Sequence, residues 1–213
     1  MTTGTAIAAS VRNRLNLSSD DSRVSDANLL EFINSAYQDV STEHAWHWRE
    51  ATQSITTTAG DSTYDAPADW HSTLSMTITG SGDIVGRVLQ RRSWKWTRRV
   101  SHTNVQSIPA FYCEYDGVFY IYPSPDGVYT VDHRYLQTVS DLGALGNSVV
   151  SPDQFDRLIV TRASSYVAQK LRDTELYQMM ETQYNKQIRN MKDDIGHSHE
   201  PVGIYTRSSW DYG

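Results

Sequence analysis

The chain of 213 residues contains one cysteine, no long apolar run, and no Asp or Glu between residues 84 and 113. The single Cys113 excludes an intramolecular disulfide, and its aromatic neighbours predict a buried, unreactive thiol. No apolar stretch approaches the roughly twenty residues that span a bilayer, and polar residues follow Met1, so we expect neither a membrane helix nor a secretory leader. We therefore expect a soluble protein made in a reducing compartment.

The acid-free stretch of residues 84–113 is the most distinctive feature of the sequence. It contributes +6 to a chain whose formal net charge is −6, so the remainder carries −12. Its arginines and tryptophans predict a contact with a negatively charged partner, because Arg and Trp are the residue types that anchor interfaces. The residues assigned to this candidate interface are Arg87, Arg91, Arg92, Trp94, Lys95, Trp96, Arg98 and Arg99.

Three interpretations of residues 87–99 remain open from the sequence. The arginines can pair with acidic neighbours of the same fold, or they can bind nucleic acid, with Trp as a stacking platform. They can also contact the acidic face of a neighbouring subunit, which we favour because a pI near 5.6 argues against a free nucleic-acid binder. The segment is either a helix with Val88, Arg92 and Trp96 on one face or an extended arm.

Helices are predicted near both ends of the chain. Thr5 begins a short one, and Ser25 is the expected N-cap of a longer one whose apolar residues recur every three or four positions across residues 29–40. Near the other end, Ser151 and Gln154 have the residue types and spacing of a capping box.

Two helices are expected after residue 151. Pro152 suits the first helical position, and the apolar residues that follow have helical spacing. A tight turn after Arg172 leads to the last helix, for which Gly196 is the predicted C-cap.

The middle of the chain has the pattern of β-structure. Residues 74–78 and 129–135 alternate apolar and polar side chains, as half-buried strands do. Asp116 and Gly117 lie between two aromatic runs and predict a tight hairpin turn. We therefore predict an α+β fold, in which the N- and C-terminal segments form a helical bundle with a β-rich insertion lobe and an extended C-terminal tail. The predicted parts are residues 1–48 and 141–196 for the helical core, 49–140 for the lobe and 197–213 for the arm.

The sequence offers little catalytic chemistry. No nucleophile elbow, phosphate-binding loop or zinc-protease helix is present. Two close histidine pairs, His44 with His47 and His197 with His199, lack further ligands at metal-binding spacing. Paired carboxylates occur in glycosidases, but a solvated helix face explains the following four equally well: Glu31, Asp39, Glu43 and Glu50. We expect no enzymatic activity, no cofactor and no metal.

The last residues combine two opposing features. Chain termini are disordered by default, but a solubilising tail should be poor in aromatic residues. We therefore predict an arm that becomes ordered when its large side chains enter a groove on a partner. The residues assigned to this arm are Ile204, Tyr205, Arg207, Trp210 and Tyr212.

Several segments follow one another in a characteristic order: a first long helix with an Asn-x-Ala-Tyr stretch, a Trp-x-Trp, a Thr-x-Ala-Gly turn, two proline-containing hairpins and a closing helix pair. They lie at residues 29–37, 46–48, 57–69, 108–112, 121–127 and 152–194. In this order they resemble the head-to-tail adaptor proteins of tailed bacteriophages, of the short-tailed-phage type, and the resemblance covers nearly the whole chain. One departure is Ala66, where the family usually has Leu.

The resemblance implies a structural virion protein at the head–tail junction, made in the host cytoplasm. It implies a ring of twelve copies that binds the portal through a C-terminal arm, contacts a downstream tail or nozzle protein, and lets genomic DNA pass through its lumen. No membrane contact is implied. Two alternatives are kept: a nucleic-acid-binding protein that uses residues 87–99, and a cell-wall-binding or cell-wall-hydrolysing tail accessory protein.

Overall fold

The computed structural model describes residues 1–19, 21–80, 84–100 and 105–198, with side chains in the last helix described as far as residue 193. The chain divides into two compact units. The first contains Met1–His44 and the chain from Asp141 onward, and the second is Ala45–Ser140. Helices dominate the first unit and strands the second, which confirms the α+β prediction. The predicted C-terminal arm lies almost entirely outside the described residues.

The described residues contain five helices and seven strands. In chain order they are α1 (Gly4–Arg14), α2 (Asp26–Thr42), β1 (Glu50–Thr56), β2 (Thr63–Asp65), β3 (Trp70–Gly80), β4 (Gln90–Arg91), α3 (Trp94–Val100), β5 (Phe111–Tyr115), β6 (Val118–Tyr122), β7 (Thr130–Gln137), α4 (Asp156–Leu171) and α5 (Thr174–Ser198).

Helix α2 forms for the reasons that its sequence indicates. The Ser25 hydroxyl accepts a hydrogen bond from the Asn28 amide at 3.3 Å, which satisfies one of the free amides of the first turn. The predicted apolar stripe is buried, with Leu29, Ile33 and Val40 fully inaccessible to solvent. This stripe packs against α4 and α1, so the helical core of the first unit follows from a 3.6-residue apolar period.

The closing helix pair differs from the prediction in two details. The predicted capping box is wrong, because a short 3-10 turn (Asp153–Phe155) precedes α4 and the buried Ser151 hydroxyl has no hydrogen-bond partner. The predicted C-cap at Gly196 is also wrong, since α5 continues to Ser198. A helix tolerates an interior glycine at a cost of about 1 kcal/mol. Arg172, in the left-handed conformation, makes the expected tight turn between the two helices.

The second unit contains two sheets. Strands β1, β7 and β3 form an antiparallel sheet in that order, and β2, β6, β5 and β4 form the other. The predicted hairpin at Asp116 and Gly117 is confirmed, because both residues have positive φ and Tyr115 pairs with Val118 across the two-residue turn. Side chains from both sheets share one apolar core.

Strand β3 departs from the simple alternation that the sequence predicts. Its register against β7 shifts between Thr73 and Ser75, so Leu74 lies in a bulge and is 44% exposed. Met76 and Ile78 remain in the core as predicted. The bulge turns Thr73 toward the partly buried interior, where its hydroxyl lies 3.0 Å from Nε2 of His133.

Candidate interaction surface

Helix α3 lies on the β5–β6 hairpin and is held there by aromatic contacts. The Trp94 ring is parallel to Tyr115, with centroids 4.3 Å apart, and also contacts Tyr120 at 4.7 Å. Trp96 meets Phe111 edge-on at 5.1 Å. Strand alternation places these hairpin residues on the face opposite Tyr112 and Phe119, which belong to the core. The tryptophans therefore fix α3 to the outer face of the sheet.

Two small side chains of α3 and β5 are buried. Thr97 is buried on the helix, and Cys113 on β5 is 1% exposed. This confirms the prediction of a buried thiol. Because alternate residues of β5 and β6 are covered on both faces, the hairpin provides a well-packed support for the helix.

The basic side chains extend away from this support. Lys95, Arg98 and Arg99 are separated by three and four positions, so they share one helix face, and all three are exposed. Arg91 and Arg92 are exposed just before the helix. We call the five together the basic ridge: Arg91, Arg92, Lys95, Arg98 and Arg99. The segment is thus a short strand followed by a helix, so Val88, Arg92 and Trp96 do not line one helix face.

Arginines of the basic ridge, Arg98 among them, also make contacts within the fold. Arg91 forms a salt bridge with Glu114, whose side chain is 6% exposed and whose second carboxylate oxygen has no partner. The Arg92 guanidinium lies 4.8 Å from the centroid of the Phe111 ring. Pairing within the fold, one of the three interpretations of this segment, therefore applies to Arg91. Lys95 and Arg99 have no ion pair within the described part of the chain. Arg87 is exposed in the loop that precedes β4.

A second surface, which the sequence did not indicate, is a groove of about 740 Å³ along the outer face of α2. Three carboxylates line it, and no lysine or arginine among the described residues does so. We call it the acidic groove and define it by Leu30, Glu31, Gln38, Asp39, Asp141 and Tyr166. The i, i+3, i+4 spacing of polar residues on α2 was visible in the sequence, but the approach of Asp141 depends on the tertiary fold.

Hydrogen bonds hold one side of the acidic groove in place. Asp39 accepts a hydrogen bond from Arg162 Nε at 2.7 Å and another from the Tyr166 hydroxyl. Arg162 Nη1 also donates to Glu181 at 2.6 Å. Burial, followed by the hydrogen bond to Asp39, raises the pKa of Tyr166 to about 12, so its hydroxyl remains a donor at neutral pH.

Three of the four carboxylates considered for catalysis form salt bridges within the fold, and Glu31 is the exception. Asp39 pairs with Arg162, Glu43 with Lys192 at 2.8 Å, and Glu50 with Arg134 at 2.7 Å.

His44 and His47 are exposed, and no metal-binding group of His, Cys, Asp and Glu occurs among the described residues. No helix in the described ranges is long and apolar enough to cross a bilayer. The side chains of His197 and His199 lie outside the described residues.

One buried histidine, His133, lies in the predicted strand of residues 129–135, and the sequence assigned it no role. His133 is fully buried, stacked on Tyr135 at 4.9 Å, and its Nδ1 has no hydrogen-bond partner. Burial lowers its pKa to about 4. The ring also contacts Phe119 edge-on at 4.6 Å and lies 3.0 Å from the Thr73 hydroxyl, so we assign His133 to the core.

The predicted arm residues Ile204, Tyr205, Arg207, Trp210 and Tyr212 lie outside the described residues.

Comparison with curated proteins found no significant match. A family model described as the SU10 adaptor protein matches residues 1–204, which is nearly the full chain. The chain therefore belongs to the SU10 adaptor protein family, in agreement with its resemblance to the head-to-tail adaptors of tailed bacteriophages.

Proposed function

We propose that this protein forms a ring that joins the phage portal to the tail, with twelve copies surrounding the channel through which DNA leaves the head. Membership of the adaptor family carries this proposal. An adaptor family indicates a structural virion role rather than an enzymatic one. A downstream tail or nozzle protein is the expected partner on the side away from the portal.

The charge distribution supports a channel protein that meets its neighbours through basic side chains. The net charge of −6 suits a wall that DNA passes without tight binding, because phosphates are repelled by a negative surface. The basic ridge is displayed on a helix that its tryptophans hold in place. A rigid support lowers the entropic cost of ordering an interface.

The C-terminal arm is the proposed portal-binding element. Truncation before Tyr205 should abolish binding to the portal protein of the same phage, measured by co-elution in size-exclusion chromatography. A full-length variant in which Ile204, Tyr205, Trp210 and Tyr212 are changed to Ser should fail in the same way, since it loses the apolar contacts. Changing Ser208 and Ser209 to Ala is the matched control and should leave binding intact. Undiminished binding by the truncated chain would contradict the role of the arm.

Nucleic-acid binding is the second candidate, and the exposure of the basic ridge favours it. Such binding should weaken steeply with salt, because cations that contact phosphates release counterions. A gel-shift assay with double- and single-stranded DNA at low salt tests it. Binding that is lost in a variant with Lys95→Glu and Arg99→Glu would support this candidate, and no shift at all would remove it.

A further inference from the structure

We propose that the acidic groove is the receptor for the basic ridge of an adjacent copy of the chain. The inference rests on the proposed ring and names the two surfaces that would meet in it. Helix α3, with Lys95, Arg98 and Arg99 on one face, would lie along α2 of the neighbouring copy.

The acidic groove has carboxylates available for such a contact. Glu31 is exposed, and its carboxylate has no hydrogen-bond or ion-pair partner among the described residues. Asp141 accepts a hydrogen bond from Gln38 at 3.0 Å but forms no salt bridge in the described part of the chain. Leu30 and the Tyr166 ring add apolar area, against which the methylene groups of Lys and Arg can pack.

Both surfaces are held in shape before any contact forms. Asn34 donates to the Leu142 carbonyl at 3.1 Å and accepts from the Leu142 amide at 2.8 Å, which fixes Asp141 beside α2. The basic ridge is fixed by the stacking of Trp94 on Tyr115. Preorganised surfaces lose less conformational entropy on binding, so less of the electrostatic attraction between them is offset and the affinity is higher.

The charge pattern favours a second copy over another occupant. Lys95 and Arg99 lack ion-pair partners within the described residues, as Glu31 does. One surface belongs to the β-rich unit and the other to the helical unit. A contact between two different surfaces is heterologous, and repetition of a heterologous contact closes a ring when the rotation permits.

Charge reversal on each surface provides the test. One variant carries Lys95→Glu with Arg99→Glu on the basic ridge, and the other carries Glu31→Lys with Asp141→Lys in the acidic groove. Sedimentation velocity at low salt measures self-association of each variant alone, of a 1:1 mixture, and of a chain carrying all four changes. Each variant alone should self-associate about tenfold more weakly than the unmodified chain, because like charges then face each other.

The mixture separates this contact from a general charge effect. In it, each reversed ridge can meet a reversed groove and each unmodified ridge an unmodified groove, so association should return to within about threefold of the unmodified chain. Self-association of the chain that carries all four changes should return to the same level. Control variants carry matched changes elsewhere, Lys186→Glu with Arg189→Glu, and Asp65→Lys with Glu175→Lys, at exposed positions. Their association should match that of the unmodified chain.

Two outcomes would overturn the inference. Reversed variants that associate as well as the unmodified chain would show that neither surface is used. A mixture that associates as weakly as either variant alone would show that the acidic groove and the basic ridge do not contact each other. Failure of the proposed function is measured separately, since it is the absence of portal binding by the unmodified chain. If the unmodified chain does not self-associate with or without portal, the inference is also overturned.

Discussion

The rings of Trp94 and Tyr115 are stacked with centroids 4.3 Å apart and an interplanar angle of 6°. This pair anchors the start of α3 to the end of β5, and it gives the exposed cations of the basic ridge a defined position. Trp94 is therefore part of the support, and the exposed arginines and lysine of the basic ridge are the groups that can contact a partner.

Replacement of Trp94 by Ala should loosen α3. The free energy of unfolding should fall by about 1–3 kcal/mol, because a half-buried aromatic side chain and its stacking energy are lost. Urea unfolding followed by fluorescence measures the change. Trp94→Phe retains a ring on Tyr115 and should lose less than half as much, while Lys95→Ala on the exposed face should lose less than about 0.5 kcal/mol. Equal losses for Trp94→Ala and Lys95→Ala would contradict the anchoring role.

Arg162 joins α2 to α5 through Asp39 and Glu181. Arg162→Ala should destabilise the protein by roughly 2–4 kcal/mol, since two partly buried carboxylates lose their cation. Arg162→Lys keeps the charge but not the fork that reaches both acids, so an intermediate loss is expected. Thermal unfolding monitored by circular dichroism is the measurement. Arg189→Ala, at an exposed position of α5, is the control and should be neutral. A neutral Arg162→Ala would show that the network contributes no net stability.

His133 makes the β-rich unit sensitive to acid. Its pKa is lowered from 6.5 to about 4 by burial, so the fold favours the neutral ring. This contribution to stability is full above pH 6.5, declines as pH falls from 6.5 toward 4, and amounts to roughly 3 kcal/mol at most. His133→Phe should remove it. The difference in unfolding free energy between the two proteins, measured by urea titration from pH 7.5 to 4, should therefore change across this window.

The exposed His71 provides the comparison for that experiment. His71→Gln, at an exposed position of β3, is the control for the loss of an imidazole from the same sheet. A constant difference between the unmodified chain and His133→Phe at every pH would contradict the assignment of a depressed pKa to the buried ring.

A substitution at Gly117 measures the cost of the left-handed backbone conformation without a steric clash. Its φ is +72°, and a Cβ built on it would meet nothing within 4 Å. Gly117→Val should cost about 1–2 kcal/mol from the left-handed backbone alone. Gly143 also has open space around a Cβ but does not have a positive φ, so Gly143→Val should change stability by less than about 0.5 kcal/mol. Equal unfolding midpoints for the two variants would contradict the assignment of the turn.

Local chemistry explains which elements could be predicted. The N-cap at Ser25, the apolar period of α2 and the turn at Asp116 and Gly117 each depend on neighbours within a few positions, and each is confirmed. The predicted capping box at Ser151 is wrong because residues Asp153–Phe155 form a 3-10 turn before α4 begins. Arg91 pairs with β5, which lies about twenty residues further along the chain. The sequence alone therefore could not decide whether residues 87–99 form a helix or an extended arm.

The candidate surfaces show the same limit. The basic segment could be recognised because its charge is contiguous in sequence, but which of its side chains are exposed could not. The acidic groove was not, since it forms when Asp141 is brought beside α2 by hydrogen bonds between Asn34 and Leu142, residues 108 positions apart. Glu31 and Asp39 resembled an ordinary solvated helix face until that approach was known.

The central claim, a ring assembled on the portal, is tested most directly by multi-angle light scattering after size exclusion, on the chain alone and mixed with its portal protein. The adaptor account predicts a species near 24.2 kDa in dilute solution that shifts into a portal complex whose added mass corresponds to about twelve copies. A chain that elutes unchanged at every ratio to portal would contradict it.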